Sequence, residues 1–392
     1  MQHTQERSLP IPDADSAAHS ARVAQHVRAL MGGGHISFAE YMHAVLYAPG
    51  LGYYAAGATK FGQGGDFVTA PEVSPIFARV LARQCASVIA TQQSATILEF
   101  GAGSGQLAAD LLARLALLDA LPERYEILEV SADLRQRQQS LLAAAIPDFV
   151  ERVSWLDRPP AAHRGVIIAN EVLDALPVER FVRRTDHVAQ LCVTLDQDRF
   201  VLQERPAPAV LAAAVAQIER DISFTLPNGY VSEVCLAVAG WTADLAGLLH
   251  EGIAFLFDYG VSRREYYAAN RNDGWLRCHF RHHVHADPLL LPGIQDITAW
   301  VDFSGVAGAA AAHGLDIMGY VSQADFLLHG GLSEELGGFT ELPLAAQLHL
   351  SGQVKLLTLP GEMGENFKCL GLGRGLLKTP DSLAQSDRTA SL

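Results

Sequence analysis

An α/β protein built on a mostly parallel, doubly wound sheet is the fold class the sequence predicts, and three observations predict it. Apolar runs of strand length alternate with segments of helical periodicity between residues 73 and 169. A glycine turn, Gly101-Ala102-Gly103-Ser104-Gly105, joins the first such run to the helix after it. A nearly uninterrupted apolar run at 252–257 resumes the pattern after a break. Strand, helix and strand at this rhythm make right-handed βαβ units. At 392 residues the chain exceeds the usual single-domain length, so two domains or one large core with elaborations are expected. A chain this long buries about 75% of its unfolded surface and needs no disulfide or metal staple.

Each element follows from local pattern. The first fifteen residues are polar and contain proline, and read as a loose arm. Residues 17–30 have helical spacing, Gly32-Gly33-Gly34 ends that helix, and Ser37 with Glu40 three positions on forms a capping box that starts another. Regular structure then stops. The stretch 48–71 is dense in Gly, Tyr and Phe; it reads as a surface loop or, because aromatics spaced by glycines suit it, as a segment that closes over a ligand. A helix at 73–89 leads into strand 95–100, helix 106–118, strand 125–130, helix 135–145, a short strand 150–156 and strand 165–169, which ends in Asn170-Glu171. After Pro177 come antiparallel strands 188–195 and 199–203 about Asp196-Gln197-Asp198, then helices at 209–221 and 232–250. The core resumes at 252–257, followed by an irregular stretch 261–296, a helix 297–313, a strand 315–321, helices within 323–358 and a last strand 368–373. The expected units are an N-terminal helical extension with a ligand-covering loop (1–72), the first part of the core (73–180), inserted strands and helices (181–250), the second part of the core with a substrate-side loop at 261–296 (251–378), and a flexible tail (379–392).

Composition narrows the function. Hydrophobic residues at 49% and charged residues at 18% exclude a disordered chain. Twenty-nine Lys and Arg against 43 Asp and Glu leave a net charge of −14, which repels phosphate backbones, so nucleic acid is not an expected partner. Cys85, Cys192, Cys235, Cys278 and Cys369 are far apart with no CxxC, which indicates a reducing compartment. The first 20 residues carry Glu6, Asp13 and Asp15 and no apolar run, and each apolar stretch is interrupted before 18 residues. A cytoplasmic protein without membrane insertion is the expectation.

The informative segment is Ile97-Leu98-Glu99-Phe100-Gly101-Ala102-Gly103-Ser104-Gly105, a strand running through an acid into a glycine turn and a helix. Glycine lets the backbone turn sharply and approach a ligand at the helix N-terminus, where free N–H groups point outward. Tight strand-to-helix packing is the plain alternative. A dinucleotide fingerprint requires GxGxxG, whereas this turn reads ExGxGxG, the form associated with S-adenosylmethionine. The next strand ends in Glu129, placed to accept both hydroxyls of a ribose. Asp157, beyond the third strand, is a candidate acceptor from an adenine amine, with Trp155 or Leu156 against the ring; a loop Asp is otherwise simply solvated. The fourth strand ends in Asn170-Glu171-Val172-Leu173-Asp174, at the edge where ligands of open sheets bind. Helix capping by Asn170 and Glu171 is the competing reading.

Together these residues resemble the MidA-like family of methyltransferases, whose mitochondrial members are complex I assembly factors. The likeness runs along nearly the whole chain: Leu46-Tyr47-Ala48-Pro49 through Gly52-Tyr53-Tyr54, Gly65-Asp66-Phe67-Val68-Thr69-Ala70-Pro71-Glu72, the turn, Glu129-Val130-Ser131, Asn170 through Pro177, Asp258-Tyr259-Gly260, His282 and His285, Pro292-Gly293, Asp296-Ile297-Thr298, Val301-Asp302-Phe303, and Met363 through Phe367. Ala102 and Ser104 stand where Pro and Arg are common in the family, and Trp300 where His is expected. The resemblance implies a Rossmann-like class I methyltransferase using S-adenosyl-L-methionine, with Glu99, Gly101, Gly103, Gly105, Glu129, Asp157, Asn170 and Thr69 on the cofactor and Glu171, Asp174 and Asp258 at the chemistry. It implies a protein substrate, an arginine of a complex I subunit in the mitochondrial relatives.

A guanidinium acceptor needs carboxylates, because it must shed a proton that it holds with a pKa above about 12. Glu171 is the first candidate, Asp174 the second, and Asp258 completes an acidic pocket. A small-molecule or carboxylate O-methyltransferase, or a cofactor-binding assembly factor without turnover, are the rival readings. Cys278, His279, His282, His283 and His285 invite a metal, but their spacing fits no standard zinc site and the resemblance brings none, so a substrate-side loop is expected there.

Overall fold

The computed structural model describes residues 9–55 and 68–392. Seven strands of its central sheet, numbered in chain order, are β1 (Thr96–Phe100), β2 (Tyr125–Leu128), β3 (Val153–Leu156), β4 (His163–Asn170), β5 (Leu249–Val261), β6 (Asp316–Ser322) and β7 (Phe367–Arg374). They lie in the order β6-β7-β5-β4-β1-β2-β3. Strands β1 to β5 are mutually parallel, and β7 runs antiparallel between β5 and β6. The sheet is mixed. Strand order reverses between β1 and β4, and that reversal opens a crevice at their carboxyl ends.

Both faces are buried, which explains why 253–257 is apolar at every position rather than at alternate ones. Ile97, Ile127, Val166, Ile168, Ile253, Phe255 and Phe257 pack under helices Pro75–Ile89 and Gln106–Leu117. Leu98, Ile167, Ala169, Ala254 and Leu256 face helices Val238–Leu248 and Phe303–Ala312. A second, antiparallel sheet combines Glu179–Arg183, Val188–Asp196, Arg199–Pro206 and Tyr230–Val234 with the two-residue strand Ile36–Ser37 of the N-terminal extension. Helices Ala14–Met31 and Phe38–Tyr47 pack on residues of the strand pair Leu276–Phe280 and Asp296–Ala299. The Ser37–Glu40 capping box forms as expected.

Several expectations are corrected. The helix expected over 232–250 is the strand Tyr230–Val234 followed by the helix Val238–Leu248. Its alternation was hidden because Ser232 and Glu233 are both buried, Glu233 by pairing with Arg180 on the neighbouring strand (3.2 Å). The helix Val238–Leu248 itself packs with the core rather than with the inserted strands. The helix expected from 297 starts only at Phe303, where Asp302 caps it; Asp296–Ala299 is a strand. The tail is folded, not flexible: helix Asp381–Ala384 buries Leu383, Arg388 donates its N–H to Tyr320 O (2.7 Å), and its guanidinium pairs with Asp325 and Glu365. Most of the segment expected to cover the ligand, 56–67, lies outside the described residues.

Candidate active site

A cavity of about 480 Å³ opens at the carboxyl ends of the parallel strands. At one end lies the glycine turn. Gly101 (φ 63°) and Gly103 (φ 53°) are left-handed, a region in which β-carbons clash with the backbone, and both line the cavity. Gly105 (φ 87°) does not line it; it caps helix Gln106–Leu117 and lies against Gln138. Glu99 is buried beneath the turn, accepts the Tyr125 hydroxyl (2.7 Å), and is pushed up to about 7 by burial, which disfavours its charged form. Glu129 accepts the backbone N–H of Ser131 (2.9 Å) on one oxygen and the Gln138 amide (3.1 Å) on the other.

Gln138 is a site residue that the sequence reading missed. Its amide also donates to Gly103 O (2.9 Å), and its oxygen accepts the Trp155 indole N–H (2.9 Å), so one side chain fixes the turn, Glu129 and Trp155 together. The signal was a glutamine on the buried stripe Leu134, Gln138, Leu142 of helix Ala132–Ala145. Asp157 and Trp155 are corrected: the Asp157 side chain is 89% exposed and pairs with Arg135 (2.8 Å), and neither residue lines the cavity, nor does Leu156. Apolar Leu128, Val130 and Leu134 line that end instead.

The other end is acidic. Thr69, Glu72, Asn170, Glu171, Asp174 and Asp296 line it, with Tyr47, Tyr54, Tyr259, Trp300 and Phe367 as walls. Glu171 has φ 54°, a left-handed conformation unusual for a residue other than glycine, and is held there by its N–H to Phe257 O (2.8 Å). No helix begins at this turn, so the capping reading falls. Burial, then Asp174, Asp296 and Glu72, raise the Glu171 carboxyl well above its ordinary range. Asp174 is also raised by burial, against the opposing effect of the Tyr259 hydroxyl that it accepts. The Asn170 amide donates to Glu171 (3.2 Å), while its buried Oδ1 has no partner among the described residues.

Asp258 is not part of the cavity wall. It is fully buried behind the turn and accepts the N–H groups of Leu173 (2.9 Å), Asp174 (3.1 Å) and Tyr259 (2.9 Å). Its expected place in the acidic pocket is corrected: a carboxylate satisfied by three backbone donors fixes the 171–174 turn rather than meeting a substrate. Tyr54 donates to Asp296 (2.7 Å) and Tyr47 to Ala175 O (2.8 Å), so the N-terminal extension is tied to the acidic end. Asp296 and the tyrosines were visible only as parts of motifs, without roles. In the histidine loop, strand alternation sends Cys278 into an apolar cluster and His279 to the cavity. Among the described residues no group of three or more His, Cys, Asp or Glu could hold a metal.

The cradle fits S-adenosyl-L-methionine: left-handed glycines permit close approach, Glu129 faces the cavity as a fixed hydroxyl acceptor, and the orphaned Asn170 oxygen awaits a donor such as an ammonium group. An open α/β sheet with this cradle beside an acidic acceptor pocket defines the class of Rossmann-like methyltransferases. Residues 80–321 match a family model described as "Putative S-adenosyl-L-methionine-dependent methyltransferase". The chain is 30% identical over 373 residues to "Protein arginine methyltransferase NDUFAF7, mitochondrial" of Danio rerio, covering 86% of this chain and 82% of that protein. It is 30% identical over 400 residues to the homolog of that name in Drosophila melanogaster, covering 93% and 88%. The crystal structure of a Burkholderia thailandensis protein bound to S-adenosyl-homocysteine has a TM-score of 0.92 at 41% identity, covering 98% of this chain and all of that one.

The chain belongs to the MidA-like family of S-adenosyl-L-methionine-dependent methyltransferases. S-adenosyl-L-methionine is its cofactor and methyl transfer its reaction. The cytoplasmic placement is overturned, since the curated relatives are named as mitochondrial proteins; free thiols fit any reducing compartment and do not tell one from another.

Proposed function

We propose that this enzyme methylates an arginine side chain of a protein, and that Glu171 and Asp174 receive the guanidinium. The observation that carries the reading is the convergence of Glu171, Asp174 and Asp296 on an aromatic-walled cavity beside the cofactor cradle. Carboxylates that burial and mutual repulsion hold above their ordinary range gain most from an arriving cation. A carboxylate acceptor would be repelled by them. The names of the Danio rerio and Drosophila relatives support the same acceptor, and the resemblance to complex I assembly factors makes an arginine of a complex I subunit the first protein to test. In this reading the N-terminal extension (1–72) and the inserted strands form an acceptor-side module on the methyltransferase core.

S-adenosyl-L-methionine brings an electrophilic methyl group on a sulfonium. Glu99, Gly101, Gly103, Glu129, Asn170 and Thr69 hold it, Glu129 through the ribose hydroxyls. Glu171 accepts guanidinium N–H groups and draws charge away from the attacking nitrogen. As the new carbon–nitrogen bond forms and the methyl carbon–sulfur bond breaks, with S-adenosyl-homocysteine as the neutral leaving group, the nitrogen would give up one proton, and the Glu171 carboxylate, with its raised proton affinity, would take it. Asp174, fixed by Tyr259, remains as the counter-charge. Mass spectrometry of proteomes with and without the protein tests the reading. Loss of a methylarginine on deletion is expected; an unchanged set of methylarginines, with a methyl ester or methyl ether lost instead, overturns it.

A further inference from the structure

Trp300 lines the cavity as one end of an aromatic stack. Its ring lies 4.2 Å from that of Trp275 at 24°, and the Arg271 guanidinium sits 4.3 Å from the Trp275 centroid. Trp275 is buried, its indole N–H given to Tyr266 O (2.8 Å), so the stack has a fixed base. The backbone around Trp300 is fixed as well. Ala299 donates its N–H to Asp174 O (3.0 Å), and Val301 pairs with Gly260, where a side chain would meet Val301 O at 2.3 Å. Tyr259, which donates to Asp174, also stands edge-on to Trp300 (6.1 Å). A rigid indole is thus tied to Asp174 from both sides, through the Asp174 backbone carbonyl by Ala299 and through its carboxylate by Tyr259.

We infer that Trp300 is a specificity-determining residue, the flat plate on which the acceptor guanidinium lies while Asp174 and Glu171 take its edge. The inference rests on the guanidinium reading above. A planar, weakly hydrated cation can stack on an indole and still offer its whole N–H edge to carboxylates; an ammonium is a compact, strongly hydrated point charge that gains less from the ring face while its N–H groups meet carboxylates. Carboxylates alone would hold either cation. The plate is what separates them.

Calorimetry with ethylguanidinium and ethylammonium, on full-length protein saturated with S-adenosyl-homocysteine, tests it. Trp300→Ala should weaken ethylguanidinium by about tenfold, between the sizes of an exposed and a desolvated cation–π contact. It should leave ethylammonium and S-adenosyl-homocysteine nearly unchanged. Trp300→Phe should recover most of the loss, and the ethylguanidinium-induced change in wild-type tryptophan fluorescence should vanish in it. Wild-type affinity of Trp300→Ala for ethylguanidinium, or an equal loss for both cations, overturns the plate while the guanidinium reading stands. A wild-type protein that binds no ethylguanidinium overturns both. Equal weakening of S-adenosyl-homocysteine marks Trp300 as structural support and overturns the plate.

Discussion

Glu129 and Glu171 stand at two ends of one cavity, and the protein treats them oppositely. Glu129 follows a strand, in ordinary backbone, and two donors on neighbouring elements fix its oxygens. Glu171 sits in a left-handed turn with one long bond from Asn170 and with Asp174, Asp296 and Glu72 raising its proton affinity. A carboxylate that must accept neutral hydroxyls in every bound state is best fixed in advance. One that must meet a cation and receive a proton is best left unsatisfied until the cation arrives. On the proposed reading, one fold uses the same side chain for binding at one end and for chemistry at the other.

The largest effect should come from breaking the cofactor end outright. Gly103→Val places a β-branched residue at φ 53° on the cavity wall. S-adenosyl-homocysteine binding by calorimetry is expected to vanish; retained affinity would mean that the turn is not the cradle. Next comes Glu171→Gln, with turnover lower by about a hundredfold, on the order of 3 kcal/mol of lost transition-state stabilisation. Because Glu171 caps no helix, this variant should melt no earlier than wild type. A variant that melts earlier and turns over at the wild-type rate moves the chemistry to Asp174. Glu129→Gln should act on the other parameter, raising the cofactor KM about tenfold with kcat nearly unchanged. If the two variants shift the same parameter, the division of labour between the ends is wrong.

Much of this was legible in the sequence because local rules and global fold agree there. The strand-turn-helix from Thr96 to Leu117, the acid Glu129 beyond the next strand and the strand ending in Asn170-Glu171 announce themselves through periodicity and glycine spacing. What stayed hidden was set by tertiary partners. Gln138 looks like any polar helix residue until Gly103, Glu129 and Trp155 surround it. Asp258 carries the motif of a catalytic acid, yet its oxygens are taken by backbone donors that only the folded turn supplies. Asp157 was misread because a loop acid can turn away, here to Arg135. The tail from 379 looked solvated because its polar residues are many and its anchors, buried Leu383 and the paired Arg388, are isolated in the sequence.

The smallest expected effect is on stability, and it sharpens the comparison by adding a third carboxylate. Glu99 lies at the cofactor end like Glu129 but is pushed up by burial like Glu171, to about 7 against an ordinary 4.5. A folded state that holds this proton more tightly than the unfolded chain gains stability below the ordinary value. That stability is lost as pH rises towards 7, since over this window the native state binds more protons. Glu99 therefore adds a falling component to the melting temperature of the protein without cofactor between pH 5 and 7, opposed by buried His163 and His279, which are lowered to about 4, and measured by calorimetry at constant ionic strength. Glu99→Gln keeps an acceptor for the Tyr125 hydroxyl and removes the titration, so part of that slope should disappear, as degrees rather than as a change of folding. Glu171, Asp174 and Asp258, raised as well, keep falling components of their own. If the slope is the same in Glu99→Gln, the Glu99 carboxyl is not held above its ordinary range, and the contrast between a satisfied and an unsatisfied end of the cavity has to be drawn elsewhere.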